Sequence, residues 1–229
     1  MHVPDGFLTA PVSIAAGVVA AGGLAVCLRG ARRELDDRTA PLAGLVAAFV
    51  FAVQMLNFPI ASGTSGHLLG GALATILVGP FTGALCVSVV LIVQAIFFAD
   101  GGITALGANI VTMGLVTVVV SHIVFRAATG TLPYSKRSVV GSAFAAGSLS
   151  VPFAALGFVA LYALGGTTDV SLTAVTTAML VVHVLIGIGE GVITALTVGS
   201  IVAVRPDLVR GLRGRAPEVV LRPSAAGTG

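Results

Sequence analysis

The 229-residue chain has no tryptophan, two tyrosines and two cysteines, and Asp, Glu, Lys and Arg together make up only 9% of it. Soluble domains carry roughly 25% charged residues, so a water-soluble globular protein is excluded. Cys27 and Cys86 lie inside apolar runs with no C-x-x-C or C-x-x-x-H spacing, which argues against a thiolate metal site and for small packing residues. A phosphate-binding G-x-x-x-x-G-K-[ST] loop is absent, as is H-E-x-x-H, so neither ATP hydrolysis nor a zincin protease is supported. The apolar runs lack the alternation that a barrel strand needs.

What is present is apolar. Hydrophobic residues reach 56%, mean hydropathy is +1.08, and 30 glycines suit helices that pack closely in lipid. Apolar segments run over 9–28, 41–58, 67–80, 81–98, 104–125, 138–164 and 172–204. Lengths near 20 residues fit spanning helices. The third is short, and Gly79-Pro80 separates it from the fourth, so those two are expected to form a tight hairpin. The last is too long for one straight span and is expected to include a leading turn or an extension beyond the membrane. The expectation is an all-α integral membrane protein of seven helices. The membrane-embedded unit covers 1–204, and residues 205–229, rich in Pro, Gly, Arg, Ser and Ala, read as a disordered basic tail.

All 12 Lys and Arg residues fall on one side of this topology: Arg29, Arg32, Arg33 and Arg38; Arg126, Lys136 and Arg137; Arg205, Arg210, Arg213, Arg215 and Arg222. The opposite side carries only the acids Asp5, Asp100 and Asp169. The positive-inside rule then puts the N-terminus outside and the C-terminus in the cytoplasm. The basic residues set topology, and the pI near 9.4 needs no nucleic-acid partner. Residues 1–28 lack a basic n-region and do not read as a signal peptide. His2 is bulky enough to hinder removal of the initiator, so Met1 is expected to supply a terminal amine. Small-xxx-small pairs occur at Ala16/Ala20, Gly79/Gly83, Ala143/Gly147 and Gly187/Gly191.

The residues able to carry chemistry are few. At a free Met-His terminus the α-amine, the His2 amide and His2 Nδ1 can chelate one ion through a five- and a six-membered ring. His67, on the same face, is the obvious fourth nitrogen. Such an all-nitrogen plane suits Ni(II), Cu(II) or low-spin Co(II) better than Zn(II) or Mg(II). The bland alternative is that Met-His is an accident and His67 caps a helix. The stretch Asn57-Phe58-Pro59-Ile60-Ala61-Ser62-Gly63-Thr64-Ser65-Gly66 before His67 reads as a re-entrant loop between helices 2 and 3, its polar side chains satisfying backbone groups; an ordinary exposed turn is the alternative. His183 and Glu190, seven residues apart, share a face of the last helix, and ionisable groups inside a span mark function or interhelical bonds. Asn109 and Met113 could line the same cavity, Gln54 and Gln94 read as interhelical glue, and His122 beside Arg126 reads as interfacial. Asp5 and Asp100 add negative potential on the outer face.

Four ordered stretches carry a resemblance: Met1-His-Val-Pro-Asp-Gly-Phe-Leu8, Met55 through Gly71, Phe98-Ala-Asp-Gly-Gly-Ile-Thr-Ala-Leu-Gly-Ala-Asn-Ile110, and His183-Val-Leu-Ile-Gly-Ile-Gly-Glu-Gly191. Together they resemble the substrate-binding M subunit (CbiM/NikM) of nickel/cobalt energy-coupling factor transporters, over nearly the whole chain to about residue 204. The resemblance implies seven helices and an ion held by Met1, His2 and His67, with Asn57, Ser65, Asp100, Asn109, His183 and Glu190 as supporting or pathway residues. It implies Co(II) or Ni(II) as cargo and no cofactor. The implied partners are a transmembrane coupling subunit, two ATPase subunits and a small accessory N subunit, at the inner cell membrane. Val3 stands where the family favours Ile, and Ala61-Ser62 where Pro or Gly is common. Two rival readings remain: an intramembrane serine protease built on Gly63-Thr64-Ser65-Gly66 with His183 as base, and a passive metal channel.

Overall fold

Proline, serine and glycine set the helix boundaries. A computed structural model describes residues 1–37, 39–56, 58–61 and 64–215. Among these, helix α1 (Ala10–Glu34) starts with Pro11 in its first turn, where a missing N–H costs nothing, and ends with Arg32 and Arg33, whose charges complement the helix dipole. Helix α2 is Thr39–Gln54; α3 is Gly71–Val78; α4 is Pro80–Phe97; α5 is Leu106–Thr131. Helix α6 (Lys136–Gly165) opens with a capping box between Ser135 and Ser138, and α7 (Leu172–Val204) is capped by Ser171.

Five of these helices (α1, α4, α5, α6 and α7) are long and apolar enough to cross a membrane. Helix α2 is apolar but has only 16 residues, and α3 has eight, about 12 Å of rise against a hydrocarbon core of about 30 Å. The helices turn large apolar side chains outward, among them Ile14, Val18, Phe97, Val181 and Leu196, as lipid-facing surfaces do. The last apolar run is one continuous helix of 33 residues, so of the two expected forms it takes the extended helix and not the leading turn.

The chain before α3 is not wholly irregular. Phe58–Ala61 (β1) pairs antiparallel with Thr64–Gly66 (β2), Phe58 opposite Gly66 and Pro59 opposite Ser65, with an irregularity between Pro59 and Ala61. This hairpin and an isolated antiparallel bridge between Leu8 and Gly166 are departures from an all-helical fold. The expected break at Gly79-Pro80 is present: Gly79 takes φ 97° and Pro80 starts α4.

Helix α5 widens into a π-helical stretch over Ile110–Val116. Thr112 Oγ1 donates to Ala108 O (2.8 Å) and Thr117 Oγ1 to Met113 O (2.5 Å), hydroxyls that satisfy carbonyls where the regular ladder is interrupted. Helices α6 and α7 pack the most closely. Gly147 lies against Gly191, so that a Cβ on Gly147 would come within 2.9 Å of the Gly191 Cα. Pro152 inside α6 leaves Ser148 O without its helical donor, and that carbonyl rests against Gly187.

The bundle has two polar ends. At one, Glu34 is buried and accepts from Thr82 N (2.7 Å) in the first turn of α4, while Arg210 donates to Glu34 O (2.6 Å) and Arg33 O (2.8 Å). The turns Pro206–Leu208 and Arg210–Leu212, expected in the tail, pack here with Val209 and Leu212 buried; residues 216–229 lie outside the described residues. At the other end residues 1–9 are stitched to the loops after α4 and α6. Thr9 N donates to Gly165 O (2.7 Å) and Thr167 Oγ1 to Gly6 O (2.7 Å), and Phe7 stacks on Phe158.

The α6–α7 contact generates a paired prediction. Gly141 in α6 faces open space, whereas a Cβ on Gly191 would meet Phe144 O at 2.7 Å and also strike Ser148 Oγ. Thermal melting in detergent should show Gly191→Ala losing about 1–3 kcal/mol from overpacking, and Gly141→Ala unchanged or gaining up to about 1 kcal/mol from helix propensity.

Candidate metal centre

Val3 anchors the N-terminus. It is fully buried; its N–H donates to Asn109 Oδ1 (2.8 Å), and its carbonyl accepts from Gly102 N (2.8 Å) and Asn109 Nδ2 (3.3 Å). Asp5 tightens the same contact, with Oδ1 accepting from Thr104 N (2.7 Å) and Thr104 Oγ1 (2.5 Å). Those hydrogen bonds hold the Asp5 carboxyl below its ordinary range. Gly101, at φ 94°, lets the loop close: a Cβ there would come within 3.0 Å of His2 Nδ1 and 3.1 Å of Asn109 Nδ2.

With Val3 pinned, Met1 and His2 turn into the bundle. The Met1 amine lies 3.2 Å from His67 Nε2, across 66 residues of sequence, and the His2 and His67 rings approach to 4.8 Å between centroids. His67 Nδ1–H donates to Leu68 O (2.9 Å), leaving the Nε2 lone pair toward the amine. His2 Nε2 faces Asp100 Oδ2 at 3.6 Å, near enough for attraction and too far for a hydrogen bond. Burial lowers the Met1 amine to about 6 against the pull of Asp100, and burial with the amine's charge lowers His2 to about 3. The Asp100 carboxyl is raised by burial. Two nitrogen groups are therefore held uncharged near neutral pH, the state in which nitrogen binds metal.

His67 is placed from below by the start of α3. The buried Glu190 carboxylate of α7 accepts from Leu69 N (2.6 Å) and Gly70 N (3.0 Å), while Gln54 Nε2 donates to Leu69 O (2.7 Å). Glu190, read from sequence as a pathway candidate, is thus the acidic cap of a helix that begins inside the bundle. His183 Nδ1 donates to Met179 O (2.7 Å). Asn57 lies outside the described residues, and of Ser65 only the backbone in β2 is described. His122, with Arg126 and Glu34, lines a cavity of about 320 Å³ at the opposite end, remote from this centre.

Among the described residues no three His, Cys, Asp or Glu side chains gather as a metal site. The cluster that does form combines the two imidazoles of His2 and His67 with the Met1 amine. Asn109 as the clamp on Val3 is not visible in the sequence, since 106 residues separate the partners. The four motifs named both halves of it but not their pairing.

Comparison with known proteins finds metal-transport relatives over most of the chain. The family described as "Cobalt uptake substrate-specific transmembrane region" matches residues 2–208. A protein of Archaeoglobus fulgidus named as a fused nickel transport protein, NikMN, is 42% identical over 209 residues, 91% of this chain and 68% of its own length. The cobalt transport protein CbiM of Sorangium cellulosum is 31% identical over 220 residues, 93% of this chain and 96% of its own. A crystal structure described as a transition metal transporter superposes with a TM-score of 0.80 at 29% identity, covering 89% of this chain and 93% of that one.

Removing the clamp should free the terminus before it harms the bundle. In Asn109→Leu the Val3 N–H loses a buried acceptor worth about 1–3 kcal/mol. Hydrogen–deuterium exchange at residues 2–5 should accelerate by roughly tenfold or more, with α6 and α7 unchanged.

Proposed function

We propose that this chain, which belongs to the family of cobalt-uptake substrate-specific transmembrane regions, is the ion-capturing subunit of an energy-coupling factor importer for divalent cobalt or nickel. The observation that carries this reading is the approach of the Met1 amine to His67 Nε2. The ion is held by the amine, the deprotonated amide and Nδ1 of His2, and Nε2 of His67. Metal–nitrogen bonds of about 2.0 Å at right angles put neighbouring donors about 2.8 Å apart, so the 3.2 Å gap closes with a small movement. With Nδ1 on the ion, the Nε2–H of His2 points at Asp100, whose carboxylate offsets the ion's charge.

The chain spans the membrane seven times, α3 and the stretch before it together making one crossing. Its N-terminus lies outside and its arginine-bearing end in the cytoplasm, at the inner cell membrane. Backbone off the helical ladder at membrane depth is tolerated because Glu190 and Gln54 satisfy Leu69 and Gly70. Energy comes from two ATPase partners through a transmembrane coupling subunit, with a small accessory N subunit. The fused relative, of whose length the matched region covers 68%, supports a further subunit of that kind. No observation among the described residues favours the serine protease: His183 Nδ1 is already engaged, on Met179 O.

Two measurements test the site. One extra residue ahead of Met1, and separately His67→Ala, should each weaken Ni(II) or Co(II) binding to purified protein by at least about a hundredfold; an extended variant that binds as well as wild type contradicts the terminal chelate. The pH profile follows from the amine. Above about 6 its lone pair is free, and below it protons compete with the ion. Because the His2 amide also gives up its proton to the ion, affinity should fall roughly tenfold per pH unit at neutral pH and roughly a hundredfold per unit below about 6, where the amine must lose a proton as well; a slope that does not steepen below about 6 would count against the amine.

A further inference from the structure

We propose that His183 supplies a fifth, axial nitrogen to the captured ion and so sets the preference for cobalt over nickel; this rests on the four-nitrogen reading above. His183 is 4% exposed, and its Nδ1–H is committed to Met179 O at 2.7 Å. That bond fixes the tautomer and leaves Nε2 as a lone pair, and Nε2 is buried with no hydrogen-bond partner among the described residues. Burying an acceptor without a donor is costly, so a ring nitrogen held in this way calls for an electrophile.

The neighbours of His183 on α7 reach toward both halves of the centre. Met179, His183, Ile186 and Glu190 share one face of α7 by their helical spacing. One turn outward of His183, Met179 packs on the same apolar cluster as Met1. Inward of it, Gly189 meets Leu68 and Glu190 holds Leu69 N and Gly70 N. His183 therefore lies between the residue that shares a cluster with Met1 and those that fix the backbone next to His67.

An axial donor separates the two ions by electron count. Four strong nitrogen donors in a plane give low-spin ions. Ni(II), with eight d electrons, fills the orbital along the axis and gains little from a fifth ligand. Co(II), with seven, holds one electron there and takes one axial donor readily. Geometry rather than raw affinity is how sites choose among such ions, and a buried imidazole on the axis tilts this one toward cobalt.

The test uses the purified full chain in detergent, loaded anaerobically with Co(II) or Ni(II). Electron paramagnetic resonance of the Co(II) form should show a low-spin signal split into a triplet by one axial nitrogen. His183→Leu should lose the triplet and about tenfold or more in Co(II) affinity while keeping Ni(II) affinity, which also reports that the variant is folded. Should His183→Leu bind neither ion, the wild-type spectrum still decides. A wild type whose nickel is planar but whose cobalt lacks the triplet overturns the axial role alone, as does an unchanged cobalt-to-nickel ratio in a nickel-binding His183→Leu. A wild type that binds neither ion, or a terminally extended chain that binds both as well, overturns the four-nitrogen reading and the axial one with it.

Discussion

Two buried carboxylates hold the short helix α3 at both ends, and the rest of the structure depends on them. Glu190 accepts the N–H groups of Leu69 and Gly70 at its start, and Glu34 accepts that of Thr82 just past the Gly79-Pro80 turn at its finish. An eight-residue helix is too short to be stable alone, and its first N–H groups would be orphaned inside an apolar bundle. An acid at each helix start satisfies them and suits the helix dipole. Because α3 is shorter than a span, the chain ahead of it is free to form a hairpin and to present His67 from within the bundle.

From that constraint the candidate centre follows. His67 is set by the backbone that Glu190 and Gln54 hold, and Met1-His2 by the backbone that Asn109 and Gly102 hold at Val3. Neither half is a conventional side-chain site. Each is a short extended segment clamped by side chains from distant helices, Asn109 of α5 and Glu190 of α7, and α6 packs against both of those helices, as at Gly147 against Gly191 of α7. The clamping groups are buried and hydrogen-bonded, whereas the nitrogen atoms that meet are left with lone pairs. That division suits an ion that must be captured and then released.

Much of this was legible in the sequence for a simple reason. In a membrane protein, long apolar runs report helices directly, so α1, α4, α5 and α6 differ from expectation only at their ends. The short hairpin β1–β2 was not legible, because Pro59 and the glycines around it argue for a turn. For α7 only the choice between a leading turn and an extended helix was not legible, since 33 residues exceed what a straight span needs in either case. Met1, His2 and His67 stood out as the few polar residues in apolar or terminal settings. The tasks of Asn109, Glu190 and Glu34 did not, since a hydrogen bond across 106 or 121 residues leaves no local pattern. Glu34 in particular read as one more acid next to a run of arginines.

The central claim is that a chain terminus and one loop histidine together form a nitrogen-only plane around a transition-metal ion. X-ray absorption at the nickel edge of the nickel-loaded protein tests it most directly. The account predicts four short nitrogen neighbours, no oxygen, and the pre-edge feature of a planar ion. A six-coordinate shell of mixed nitrogen and oxygen would contradict it.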